Sequence, residues 1–218
     1  MDENQEAKRR YITAFFDDAE ARIAFLDVLA AEGHEREAMT LCLTYIDSFA
    51  QWLRWPSTST GRNFVEAVEQ FGGDSLMRLA HPLQAIRAFS QMKALWKTLA
   101  ERITHAFPRP VHELLPILLF EQELAHHLTA TELAQLRSEG WRATIANIVY
   151  QHLRNPSVHG FSASGGISLS QTTYHGQPVP ILGFPQLRNC ARGVVAEARR
   201  RSEANWEWFG NGAIVYDT

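Results

Sequence analysis

The residues best equipped for chemistry lie between Tyr150 and Phe161, in the segment YQHLRNPSVHGF. Within it, four residues separate Arg154 from His159, at the predicted C-terminal end of a helix. Arginine offers a permanent charge on a planar fork of donors that suits phosphate, and histidine exchanges a proton near neutral pH. Such a pair can cleave RNA without a metal, because the histidine can deprotonate a ribose 2′-hydroxyl while the arginine stabilises charge on the phosphate. For the spacing alone, the alternative is an arginine that caps a helix, followed by a histidine in a loop.

The surroundings of this pair resemble the HEPN superfamily. Its hallmark is an arginine, four to six residues and then a histidine, with a polar residue directly after the arginine. Here the polar residue is Asn155, and Gly160 follows His159. Two upstream segments, residues 37–50 and 61–65, also look like the first half of bacterial members. The resemblance therefore covers about residues 19–72 and 141–161.

The resemblance implies a helical bundle, often dimeric, with metal-independent endoribonuclease activity in toxin–antitoxin or antiviral systems. It implies that His159 acts as acid or base, that Arg154 holds the scissile phosphate, and that Asn155 orients the pair or hydrogen-bonds the ribose. The predicted catalytic residues are thus Arg154, His159 and Asn155, with no cofactor and no metal. Some members that pair with a nucleotidyltransferase carry a tyrosine, modified with AMP, two residues after the histidine. Phe161 stands there and has no hydroxyl, which argues against that regulation.

Composition limits the kinds of partner that the chain can attract. It has 218 residues, 45% of them hydrophobic and 21% charged, so we expect one helical domain over residues 1–218 with a substantial core. The net charge is −3, so any RNA site must be a local basic patch. The two cysteines, Cys42 and Cys190, are too few for a disulfide scaffold and are expected to be buried free thiols. The N-terminus has no apolar signal core, and no run of about 18 apolar residues occurs. We therefore expect a cytoplasmic protein without a membrane segment.

Hydrophobic periodicity predicts helices through most of the chain. We expect two helices joined at Gly33-His34, a third over 62–71, and helical segments over about 74–106 with an interruption at Pro82, 111–127, 141–154 and 185–208. A capping box is predicted at Thr129 and Glu132. Alternating residues and a turn at 174–177 predict a β-hairpin near 165–183. The predicted fold class is therefore all-α: a HEPN-like helical bundle with additional helices and a small β-hairpin insertion.

Several other polar residues are weaker candidates. His152 lies two residues before Arg154 and is expected at the surface or the edge of the core. Asp47, in the second helix, could hold Arg154 or face solvent, and the two alternatives are equally supported. Glu123 and His126 have the spacing of di-metal helical bundles, but no second copy occurs, which favours a solvated helix end. Adventitious zinc is conceivable at a histidine set: His105, His112, His126 and His127.

The last helix carries a basic set that could follow an RNA backbone, although a solvated face is the more common reason for such a run. Its members are Arg188, Arg192, Arg199, Arg200 and Arg201. Nearby aromatic side chains could stack on bases, but packing is the safer expectation. These are Trp206, Trp208 and Phe209.

The predicted reaction is attack of the RNA 2′-hydroxyl on the adjacent phosphate, which leaves a 2′,3′-cyclic phosphate and a 5′-hydroxyl. We expect a homodimer, because one arginine–histidine pair supplies little and two pairs across a two-fold axis supply both an acid and a base. RNA is the expected partner, with an antitoxin or defence protein as a further one. One alternative is a non-catalytic helical module that binds RNA, a nucleotide or a protein. Another is a structural dimer in which the motif caps a helix.

Overall fold

The computed structural model describes residues 3–54, 59–91, 94–107, 113–155 and 168–207. Helices make up most of these residues, and the short strands form two antiparallel pairs. The chain divides into two compact units. Unit 1 combines Met1–Gly73 with Phe184–Thr218, and unit 2 is Asp74–Gly183, which is inserted into unit 1 in the order of the chain.

The described part of unit 1 is a bundle of long helices. They are α1 (Glu3–Ala31), α2 (Glu35–Leu53), α3 (Thr60–Phe71) and α9 (Phe184–Asn205). Gly33, whose φ of 92° suits glycine, makes the turn between α1 and α2. Helix α9 packs against each of the other three helices, so the last segment of the chain completes a bundle that the first segments begin.

The core of unit 1 follows the apolar spacing of its helices. Helix α2 turns one stripe inward: Ala38, Met39, Cys42, Leu43, Ile46, Phe49, Ala50 and Leu53. An aromatic cluster joins this stripe to α1, because the Phe49 ring centre lies 5.1 Å from that of Trp52 and 5.9 Å from that of Phe16. Offset and edge-on aromatic contacts of this kind add stability beyond the buried area.

Helix α9 approaches the end of α3 very closely at Gly193. A β-carbon placed at Gly193 would lie 1.8 Å from the carbonyl oxygen of Phe71. Hydrogen is therefore the largest side chain that this backbone-to-backbone contact accepts. Gly72 lies in the same contact, since its β-carbon would lie 3.0 Å from the sulfur of Cys190.

Unit 2 consists of shorter elements. In chain order they are a 3₁₀ turn (Ser75–Arg78), β1 (Leu79–Ala80), α4 (Pro82–Ser90), α5 (Ala94–Ala106), β2 (Leu115–Pro116), α6 (Ile117–Ala125), α7 (Ala130–Glu139), a second 3₁₀ turn (Gly140–Ala143), α8 (Ile145–Val149), a π-helix (Tyr150–Arg154), β3 (Thr173–Tyr174) and β4 (Gln177–Pro178). Helices α4, α5, α6 and α7 surround a core of aliphatic and aromatic side chains. Its largest members are Phe89, Leu99, Ile103, Phe120, Leu124 and Leu136.

The β-hairpin is shorter than predicted and is tied to a distant segment. Its strands β3 and β4 are antiparallel, with Thr173 opposite Pro178, and the turn falls at His175 and Gly176. The backbone N–H of Leu114 donates to the carbonyl of Thr173 over 2.7 Å. The carboxylate of Glu113 accepts a hydrogen bond from the Thr173 hydroxyl, which lowers the pKa of Glu113. The predicted hairpin residues 165–167 lie outside the described part of the chain.

Most of the predicted elements are confirmed, and one is wrong over part of its length. The all-α class with a small β insertion is confirmed, as are the capping box at Thr129 and Glu132 and the last helix. The predicted helix over 111–127 is wrong at residues 113–116, the described ones before Ile117. Strand β2 lies there, with Pro116 opposite Leu79, because proline lacks an N–H for a helix interior. The single domain over 1–218 stays a prediction beside the two units. None of the helices in the described ranges has the length and apolar character needed to cross a membrane.

Replacing Gly193 by Ala tests the close contact in unit 1. We expect the free energy of unfolding to fall by about 3 kcal/mol, because the methyl group forces α3 and α9 apart. Gly140→Ala is the matched control, since its β-carbon would meet its nearest atom, in Ile117, at 3.5 Å. Urea unfolding followed by circular dichroism measures both variants. Equal stability of the two variants would contradict the contact.

Candidate functional site

The predicted catalytic arginine lies on a helix that is anchored by a nearly continuous buried segment. Helix α8 continues into the π-helix, and every residue from Ala143 to Tyr150 is buried. The side-chain amide of Asn147 donates to the carbonyl of Arg142 over 2.8 Å, which satisfies a buried polar group within the segment. Gln151 and His152 are then exposed, Leu153 is buried, and Arg154 is half-buried. The buried segment thus fixes the backbone from which Arg154 projects.

The π-helix changes the direction of the last side chains. The backbone N–H of Asn155 donates to the carbonyl of Tyr150, five residues earlier, in place of the α-helical partner four residues earlier. The guanidinium carbon of Arg154 lies 5.5 Å from the centre of the Tyr150 ring, within cation–π range. A wide turn of this kind is often found at functional positions in helices.

Asn155 holds the arginine from its other side. Its side-chain oxygen accepts a hydrogen bond from Nη1 of Arg154 over 3.1 Å, and its amide nitrogen lies 3.4 Å from the side-chain oxygen of Gln151. Arg154 and Asn155 are therefore in contact in the structure. His159, the third predicted residue, lies outside the described residues, as do Gly160 and Phe161.

A polar groove runs along the same helix, on the side of α4. It has two lobes, of about 400 Å³ and 330 Å³, which share Gln84, Arg87 and His152. The larger lobe reaches His81 and the segment from Ser168 to Thr172. The smaller lobe is lined mainly by amide and guanidinium side chains: Gln84, Arg87, Gln91, Arg142, Asn147 and Gln151.

The groove is cationic, because no Asp or Glu is among the described residues that line it. Arg87 is exposed and makes no ion pair within the described part of the chain. Arg142 lies over the ring of Trp141 at 4.3 Å and pairs with Glu139 over 2.6 Å. His81 is buried, and its Nε2 lies 3.3 Å from the hydroxyl of Thr172. The sequence analysis missed this groove. The pattern that could have revealed it is the spacing of Gln84, Arg87 and Gln91, which puts these polar residues on one face of a helix.

The other candidates are placed as follows. His152 is exposed, as expected, and lines both lobes of the groove. Asp47 is half-buried on α2 in unit 1, and its two alternatives, holding Arg154 or facing solvent, both stay predictions. Glu123 and His126 are exposed at the end of α6. Among the described residues, no group of three or more His, Cys, Asp or Glu is placed to hold a metal ion. His112 lies outside these residues.

The arginines of the basic set on α9 form ion pairs with acidic side chains. Asp27 pairs with Arg188 over 2.6 Å and with Arg192 over 3.1 Å. Glu197 accepts from Arg200 and then from Arg201, which lowers the pKa of its carboxyl group to about 2. These pairs favour the expected solvated face over an RNA track.

Arg199, the remaining arginine of that set, and Trp206 both contact α1. Arg199 donates to Asp17 and Glu20 of α1 over 2.8 and 2.9 Å. The guanidinium of Arg9 lies 5.1 Å from the ring centre of Trp206, which ties the end of α9 to α1. Trp208 and Phe209 lie outside the described residues.

Both cysteines are free and buried, as predicted. Burial raises the pKa of the Cys42 thiol to about 12, which keeps it protonated and poorly nucleophilic at neutral pH. Both cysteines lie in unit 1, and neither lines the groove of unit 2.

Comparison of the chain with protein-family models, curated proteins and solved structures found no match.

Proposed function

We propose that this protein is a metal-independent endoribonuclease of the HEPN type. In the proposed reaction, the 2′-oxygen of a ribose attacks the adjacent phosphorus and the bond from phosphorus to the 5′-oxygen breaks. A base takes the proton of the 2′-hydroxyl, and an acid protonates the leaving 5′-oxygen. The products are a 2′,3′-cyclic phosphate and a 5′-hydroxyl.

The observation that carries the proposal is the arrangement of Arg154. Its guanidinium lies against the Tyr150 ring and donates to Asn155, so its planar fork is oriented before any substrate arrives. An oriented cation stabilises developing charge without reorganising during the reaction. Arg154 would hold the scissile phosphate, and Asn155 would position Arg154.

His159 is the proposed acid or base. It follows Arg154 at the spacing of the motif, and histidine is the side chain that most readily moves a proton near neutral pH. A homodimer would bring two such histidines to one phosphate, one as base and one as acid. A toxin–antitoxin or antiviral system is the proposed setting, with an antitoxin or defence protein as a further partner.

Replacing His159 by Ala should lower the rate of RNA cleavage by at least about 10²-fold, because the reaction loses its proton-transfer group. Purified wild type, in EDTA, should cut single-stranded RNA and leave cyclic phosphate ends. His126→Ala, an exposed histidine at the end of α6 that lies outside both the motif and the groove, is the control and should retain cleavage. Cleavage by the His159 variant at the wild-type rate would refute the proposed role. If pure wild-type protein binds RNA but does not cut it, a non-catalytic RNA-binding module is the better interpretation.

Replacing Arg154 by Lys should reduce cleavage by about 10²-fold, because an ammonium group cannot reproduce the bidentate contact of a guanidinium with phosphate. Single-turnover rates at saturating RNA measure the loss. Arg137→Lys is the matched control, since Arg137 is exposed on α7 and does not line the groove. Near-normal rates for the Arg154 variant would mean that positive charge alone suffices.

A double variant, Arg154→Ala/His159→Ala, tests the shared active site. If each site takes groups from two chains, adding the double variant to wild type should lower activity beyond simple dilution, because mixed dimers lack half of each site. Activity is measured after subunit exchange at a fixed amount of wild-type chain. Activity that depends on the wild-type chain alone would show that each protomer works by itself.

A further inference from the structure

We infer that the groove between α4 and the π-helix binds the single-stranded RNA next to the scissile phosphate, with Arg87 on a neighbouring phosphate. The inference rests on the proposed nuclease function, which it deepens by naming the surface that holds the substrate. It uses residues of unit 2 alone.

Charge is the first support. The chain as a whole is acidic, with a net charge of −3, yet the described lining of the groove contains Arg87 and Arg142 and no carboxylate. Arg142 is partly neutralised by Glu139, whereas Arg87 has no ion pair among the described residues. An unpaired guanidinium in an acid-free groove favours an anionic ligand, and phosphate matches its geometry.

The contrast with α9 strengthens this point. There, each arginine of the basic set has an acidic partner: Arg188 and Arg192 share Asp27, Arg200 and Arg201 share Glu197, and Arg199 pairs with Asp17 and Glu20. Arg87 of α4 is exposed and has no such partner among the described residues. A phosphate that binds Arg87 therefore competes with no described carboxylate, whereas one that binds an arginine of α9 has to compete with an ion pair.

Hydrogen-bonding capacity is the second support. Gln84, Gln91 and Gln151 line the smaller lobe, and Ser168, Ser170 and Gln171 line the larger one. Amide and hydroxyl groups both donate and accept, as the edges of unpaired bases require. Each lobe has the volume of a small-ligand site, so the pair of lobes suits consecutive nucleotides of one strand.

Continuity with Arg154 is the third support. Gln151 lines the smaller lobe, and its side-chain oxygen lies 3.4 Å from the amide of Asn155. Asn155 in turn accepts from Arg154. An RNA strand whose scissile phosphate contacts Arg154 can therefore continue directly into the groove.

The test is binding of an RNA that cannot be cleaved. The probe is a fluorescent single strand of about 12 nucleotides with every 2′-hydroxyl methylated, and anisotropy gives its Kd at several salt concentrations. Arg87→Gln should weaken binding about fivefold and lower the salt slope by about 0.7, the value for one phosphate contact to a single strand. Lys97→Gln, which removes an exposed charge from α5 outside the groove, should leave Kd within about twofold. Gln84→Ala should also weaken binding.

The outcomes separate this inference from the proposed function. Equal affinities for wild type, Arg87→Gln and Gln84→Ala overturn the groove as the RNA site, even if the protein cleaves RNA. Equal losses in Arg87→Gln and Lys97→Gln overturn it as well, because they indicate general charge attraction. Selective loss in Arg87→Gln supports the groove, and it does so even if wild type cuts no RNA and the nuclease proposal fails. Circular dichroism melting of each variant shows that a loss of binding is not a loss of fold.

Discussion

The contact between α9 and the end of α3 is the constraint on which unit 1 depends. At Gly193 the two backbones are so close that a β-carbon would overlap the Phe71 carbonyl. This contact lets α9 pack against α1, α2 and α3 at once and bury a face that includes Leu187, Val194 and Val195. The ion pairs of α9 with Asp17, Glu20 and Asp27 then form at its rim. They add specificity to a packing arrangement that glycine permits.

In unit 2, the candidate site combines a buried helix start with a π-turn at the helix end. The run from Ala143 to Tyr150 is buried, so the start of the site helix cannot shift without disturbing the core. The π-turn then frees the end of the helix from α-helical spacing and places Arg154 between Tyr150 and Asn155. The proposed role of Arg154 requires such an arrangement, because a cation that is oriented before the substrate binds stabilises developing charge without reorganising.

The sequence predicted those features that depend on local patterns. The helix class, the turn at Gly33, the capping box and the last helix all follow from periodicity and from the residues at helix ends. The sequence did not predict the features that depend on contacts between distant segments. Strand β2 exists because Leu115 and Pro116 meet Leu79 and Ala80.

The candidate site shows the same limit. Asn155 was expected to orient the catalytic pair or to hydrogen-bond the ribose; it contacts Arg154, and its role in catalysis stays a prediction. A π-turn, however, has the same residue types as an α-helix and differs in its hydrogen-bond register. The groove joins α4 to Ser168–Thr172, which lie about 80 residues apart in the chain, and no periodic pattern connects them. The acidic partners of the α9 arginines lie on α1 and on α9 itself, and spacing could reveal only those on the same helix.

The insertion of unit 2 into unit 1 also sets the order in which the parts of the bundle are synthesised. During synthesis, α1, α2 and α3 leave the ribosome with the faces that α9 will cover still open to water, and all of Asp74–Gly183 is made before α9. Unit 2 is continuous, so its own contacts can form while α9 is still being translated. Closure of the bundle then requires contacts between residues far apart in the chain, which is a slow step. The early helices are consequently the part of the nascent chain whose apolar faces wait longest to be covered.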